Sequence, residues 1–151
     1  MGRVRNAGLS ALLTWLPAFT APACNVLDFG ARGDGITIDT LPIRAAVSAC
    51  AGSALVFPAQ HVFLTGPLNL SSDSSYIIEE GATIKAISGP ADWPIAAGLP
   101  SYAPDYWRYQ PFLWAYEQRN VSISGGGAID GSGATYWCAQ GALGHDRRGG
   151  E

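Results

Sequence analysis

Ala54-Leu55-Val56-Phe57, His61-Val62-Phe63-Leu64, Leu68-Asn69-Leu70, Tyr76-Ile77-Ile78 and Ala82-Thr83-Ile84-Lys85-Ala86-Ile87 follow one another through the middle of the chain. Each is bounded by Gly, Pro, Asn, Asp or Ser. Short runs rich in Val, Ile, Phe and Tyr, punctuated by turn formers, read as β-strands. These are too short, and too apolar on their faces, to be stable as isolated hairpins. Stacked as parallel coils they would bury their inward side chains in one continuous core. A β-sandwich also gives short strands with turns at regular intervals, so the pattern alone leaves solenoid and sandwich both open.

Upstream, Val26-Leu27-Asp28-Phe29-Gly30 reads as another short strand, followed by a glycine-rich turn from Gly30 to Gly35 that contains Arg32 and Asp34. One helix is expected next. Thr40 or Asp39 can cap it, Pro42 suits its first turn, and Ile43, Ala46, Val47 and Cys50 fall at i, i+3, i+4, i+7 before Gly52. Downstream, Ser88 to Pro111 reads as a long loop rich in proline and aromatics, and strand signals resume at Phe112 to Tyr116, Val121 to Ser124 and Ala128 to Ile129. Trp93, Tyr106, Trp107 and Tyr109 of that loop are the candidate substrate-binding residues, because exposed rings stack on sugar faces. The same rings would serve equally to cover the side of the core. Beyond Cys138 the chain turns Gly-, Arg- and Asp-rich with no capping pattern, so a solenoid ending there would expose its last coil.

The hydrophobic share of 48% is enough for a packed core, while charged residues amount to 14% and the net charge to -3. That balance lacks the electrostatic footprint of a nucleic-acid binder. Arg3 and Arg5, the apolar run Ala7 to Phe19 and the small residues Ala21-Pro22-Ala23 have the three-part form of a secretory signal. Residues 1–23 are therefore expected to be removed, leaving 24–151 as a secreted, extracellular domain. The apolar run is shorter than the ~20 residues needed to span a bilayer, so no membrane anchor is expected. Of the three cysteines, Cys24 and Cys50 bracket the helix and are the preferred disulfide, with Cys138 awaiting a partner downstream; Cys50 would also suit a buried apolar helix position. Asn69-Leu70-Ser71 and Asn120-Val121-Ser122 make Asn69 and Asn120 glycosylation acceptors in a eukaryotic host.

Four stretches in order resemble the polygalacturonases, the pectin-degrading glycoside hydrolases. They are Asn25 to Gly35 with Asp39-Thr40 and the helix; Val56-Phe57-Pro58-Ala59 with Leu64 to Leu68; Glu80-Gly81-Ala82-Thr83-Ile84; and Asn120 to Ile123 with Gly125 to Gly127, Ile129 to Gly133 and Tyr136-Trp137. The opening stretch is shared with related β-helical lyases and epimerases. The resemblance implies an all-β fold, a right-handed parallel β-helix of which this is the N-terminal part, with one short capping helix. It further implies a monomer acting on pectic polysaccharide, polygalacturonate or rhamnogalacturonan, with no cofactor.

Gln60 departs from the family, whose members carry glycine after Pro-Ala, so the turn there is expected to be made differently. Tyr136-Trp137 stands where a Trp-Trp pair is usual. The family's catalytic sequences, Asn-Thr-Asp, Asp-Asp, Gly-His-Gly and Arg-x-Lys, do not occur, and Gly144-His145-Asp146 only echoes one of them. The chain is thus expected to stop before the catalytic residues, to be inactive alone, and to be only marginally stable.

Inverting hydrolysis of a glycosidic bond needs an acid and a base carboxyl roughly 6.5–9.5 Å apart. Asp28, Asp34 and Asp39 sit around turns and the helix start, Asp130 reads as a turn residue, and Glu79-Glu80 as a solvated face, so none is assigned to catalysis. Lys85 is the only lysine, and Arg147-Arg148 lie in the terminal tail. His61 and His145 lack companions at ligand spacing, so no metal is expected. Two further readings remain: a non-catalytic carbohydrate-binding β-helix that uses the Trp93–Tyr109 loop, and a relative of the pectate lyases or epimerases.

Overall fold

In the computed structural model, residues 23–88, 93–96 and 108–135 are described. Residues 1–22 of the expected signal, Tyr106, Trp107, Cys138 and the tail from 136 onward lie outside them. The chain forms strands β1 (Cys24–Asn25), β2 (Asp34–Ile38), β3 (Ala54–Phe57), β4 (Val62–Thr65), β5 (Leu68–Asn69), β6 (Ser75–Ile78) and β7 (Thr83–Ala86). After these come β8 (Ile95–Ala96), β9 (Arg108–Tyr109), β10 (Leu113–Trp114), β11 (Ser122–Ser124) and β12 (Ala128–Asp130), with helix α1 at Thr40–Ala49.

Three faces stack. One is β1-β3-β6-β11, the second β2-β4-β7-β12 and the third β5-β10, all parallel. One turn of the chain carries Ala54 to its partner Ser75 and Val62 to Thr83; the next carries Ser75 to Ser122 and Thr83 to Ala128. Strands that return one level higher in parallel register make a right-handed β-helix and leave no place for the face-to-face antiparallel sheets of a sandwich.

The period-2 alternation of each run decides what is inside. In β3, β4, β6 and β7 every second side chain is buried. Register then piles like on like: Leu55 under Tyr76 under Ile123, and Phe63 under Ile84 under Ile129. Phe57 and Phe63 meet edge to face at 5.4 Å across the bore. Ile123 and Ile129, in the last described coil, are each 44% exposed although they continue these stacks.

Helix α1 covers the first coil with the face anticipated from spacing, and Ile43, Ala46, Val47 and Cys50 are buried. Cys50 at its C-terminus is disulfide-bonded to Cys24 in β1, with Cα atoms 6.3 Å apart. Arg44 donates through Nε and Nη2 to the Pro67 carbonyl, at 3.1 and 2.6 Å.

Several expectations are corrected. Val26–Phe29 is a 3-10 helix rather than a strand: the Asn25 side chain accepts the Leu27 N–H at its start, and Gly30 closes it in the left-handed region. Asp34 and Gly35, read as turn residues, begin β2, because pairing with β4 outweighs local turn preference. Asp39 precedes α1 but its side chain does not cap it. Its buried carboxylate accepts the backbone N–H groups of Arg32 and Gly33, at 2.8 and 2.9 Å, and so pins the turn before β2. Thr40 Oγ1 likewise turns away from capping and accepts the Gly66 N–H at 2.8 Å. The long loop contains a short antiparallel ladder, β8 with β9.

Candidate functional site

On the outer side of the second face, Leu64, Lys85 and Asp130 stand in register on β4, β7 and β12. Lys85 Nζ lies 3.4 Å from Asp130 Oδ2, both side chains about half exposed. They border a groove of about 350 Å³ that also includes Ser132 and Thr135. Asp130 is therefore the last strand residue and not a turn residue, contrary to expectation. The Ser132 N–H donates to Asp130 Oδ1 at 2.8 Å, and the Ser132 hydroxyl donates to the Ala86 carbonyl at 2.7 Å, which anchors the exit of β12 to the coil beneath. The backbone N–H of Ser132, and after it Lys85, hold the Asp130 carboxyl below the ordinary range. It is ionised at neutral pH, the opposite of what a general acid requires.

Asp34 and Glu79 accept from backbone N–H groups, and Asp73 from a side-chain amide. Asp34 accepts from the Ile36 and Thr37 N–H groups and the Thr37 hydroxyl, which lower its pKa to about 2. Asp73 accepts from Asn120 Nδ2 at 3.2 Å, and Glu79, exposed as anticipated, accepts from the Ala59 N–H at 2.9 Å. His61 packs parallel to Phe63 at 5.7 Å, with Nδ1 2.8 Å from the Ala59 carbonyl, so its ring is part of the coil wall.

The two candidate sugar-stacking residues that are described lie differently. Trp93 is half-buried, donates Nε1–H to the Ile87 carbonyl at 3.3 Å, and tilts against Phe112 at 6.0 Å. Tyr109 in β9 is 53% exposed. Asn69 and Asn120 are both exposed.

No family model matches the chain. Among curated proteins it is 34% identical over 117 residues to an exo-poly-alpha-D-galacturonosidase of Dickeya chrysanthemi, a match over 72% of this chain and 19% of that protein. Among solved structures it aligns with a hyperthermoactive exopolygalacturonase of Thermotoga maritima at TM-score 0.69 and 33% identity, covering 80% of this chain and 28% of the other. A family 28 exopolygalacturonase of Yersinia enterocolitica gives TM-score 0.65 at 32% identity, over 72% and 20%. Most of this chain is homologous to polygalacturonases. It spans about a fifth of the length of the Dickeya relative.

In this polygalacturonase homologue the expectation that the Gln60 departure makes the turn differently is corrected. Gln60 simply adopts φ 62, the left-handed conformation that Gly81 takes at φ 80 one coil higher. Sequence reading missed the Lys85–Asp130 pair, since nothing local signals that residues on β7 and β12 share a register position.

Proposed function

We propose that this chain supplies coils of a secreted hydrolase that cleaves α-1,4-galacturonosyl bonds of pectic polysaccharide in plant cell walls, and that the catalytic carboxylates are not among its 151 residues. The observation that carries the reading is the agreement of sequence and fold, 33% identity at TM-score 0.69, with an exopolygalacturonase. Its second half is supported by Asp34, Asp39 and Glu79, which accept backbone N–H groups, and by Asp130, which borders a groove but is paired with Lys85. The role of the chain is then to set the level and twist of the sheets on which a converging acid and base are presented. Trp93, Tyr106, Trp107 and Tyr109 are its sugar-stacking residues in this reading. The protein acts as a monomer outside the cell, released from its leader near Cys24.

Reducing-end release from polygalacturonate by the purified chain tests the assignment. No turnover is expected, and turnover would overturn the claim that the carboxylate pair lies elsewhere. The transcript beyond Glu151 tests the activity itself: an in-frame Asn-Thr-Asp and Asp-Asp support it, and a stop codon overturns it. N-terminal sequencing of the secreted product is expected to begin near Cys24.

A further inference from the structure

The third face of the coil carries a groove lined by aromatic and amide side chains. Pairing of β5 with β10 sets Leu68 beside Leu113, with Leu68 buried, and Asn69 beside Trp114 on the outer side. Asn69, Leu70, Gln110, Trp114, Tyr116 and Gln118 border an open groove of about 390 Å³. That volume falls within the ~300–1,000 Å³ of small-ligand pockets. Trp114 and Tyr116 meet edge-on at 6.0 Å and 76°, with Tyr116 44% exposed, so two differently oriented rings face one space.

The amides around these rings are held in place. Gln118 Oε1 accepts from the Ser72 N–H and hydroxyl at 2.8 and 2.7 Å, and its Nε2 donates to the Tyr116 carbonyl at 3.2 Å. Gln110 Nε2 donates to Asn69 Oδ1, which leaves the Asn69 amide N–H groups and the Gln110 carbonyl as a donor and an acceptor side by side. A donor beside an acceptor matches vicinal hydroxyls, and a ring face matches the C–H face of a pyranose. None of the six lining residues is charged. An unesterified galacturonate would bring a carboxylate with no cation among the described lining residues to meet it.

We propose that this groove is a binding subsite for an uncharged pyranose of a pectic glycan. The inference rests on the pectic reading above for the ligand's origin, and adds that the bound unit is neutral. Two sources share that chemistry: a galactose unit of a neutral side chain and a methyl-esterified galacturonate of the backbone.

The test is titration of the full chain, followed by tryptophan fluorescence and calorimetry, with β-1,4-galactotetraose, methyl-esterified trigalacturonate and unesterified trigalacturonate. Production in a bacterial host keeps Asn69 free of a glycan that would fill the groove. At least one neutral probe is expected to bind, at least about fivefold tighter than the unesterified acid, and which one binds identifies the source. Tyr116→Ala and Gln110→Ala, both at accessible positions, are each expected to weaken binding about fivefold, the equivalent of one net hydrogen bond. Unchanged circular dichroism and melting would show that these variants remain folded; if either is unfolded, Tyr116→Leu, which keeps bulk and loses the ring, replaces it. Absence of binding by both neutral probes, equal or tighter binding of the unesterified acid, or variants that bind as wild type would overturn the proposal. Its fate is separable from that of the hydrolase reading, since a stop codon after Glu151 leaves the titration unaffected.

Discussion

At Gly125 an added Cβ would strike the Ile78 carbonyl oxygen, and at Gly127 it would strike the Ile78 side chain and lie 2.6 Å from the Glu79 carbonyl. Gly125 also sits at φ 110, where a side chain is strained whatever the space. Gly125→Ala is therefore expected to cost at least ~2 kcal/mol, read as a lower denaturation midpoint. Gln60 is the reverse case: an exposed non-glycine residue held left-handed, where the strain of roughly 1–2 kcal/mol exceeds the entropy that glycine would lose. Gln60→Gly is expected to raise stability by up to ~1 kcal/mol, and a lowered midpoint would contradict the argument. Asp34 gives a pH signature. Its folded pKa of about 2 lies below the ordinary 3.8, so its contribution to stability is complete above pH 3.8 and disappears as pH falls toward 2. Carboxyl titration by NMR is expected to find that midpoint near 2, and Asp34→Asn should flatten the acid limb of the stability curve between those limits.

Among the elements, legibility followed periodicity. The face of α1 was readable because Ile43, Ala46, Val47 and Cys50 need only helical spacing to converge. The strands of the central coils were readable to within a residue, since Val62–Thr65 replaced His61 to Leu64 and Ser75–Ile78 replaced Tyr76 to Ile78. Val26–Phe29 misled because three apolar residues in four suit a strand as well as a 3-10 turn, and the Asn25 cap and Gly30 stop decide between them. Asp39 was legible as a residue that satisfies backbone donors, but not as one that reaches back to Arg32 and Gly33. The Cys24–Cys50 bond closes a segment of sequence separation 26 around these elements. Cys50→Ser is expected to cost about 3 kcal/mol, and reduction of the wild type should produce a comparable fall in its midpoint. An unchanged midpoint in either experiment would mean that helix packing alone secures the first coil.

For the whole molecule, the coil was legible as one of two architectures until the family motifs tipped the balance, because alternation reports what is buried and not which strand is the neighbour. The grooves were illegible for the same reason. Asn69 meets Trp114, and Lys85 meets Asp130, only through strand register set by a full turn of the chain. The longer second turn, which passes through β8 and β9 before β10 returns to β5, brings Gln110 and Trp114 to Asn69.

That register has a consequence for how the chain is made. In the three parallel sheets each strand after the first rests on one that precedes it in sequence: β3 on β1, β6 on β3, β11 on β6, and β4, β7 and β12 in the same succession from β2. Nothing in these sheets waits for a residue not yet synthesised, and each new strand closes only the loop of a single turn. As the ribosome extends the chain, coils can be wound on in order, from a seed of helix and first coil that the Cys24–Cys50 bond locks covalently.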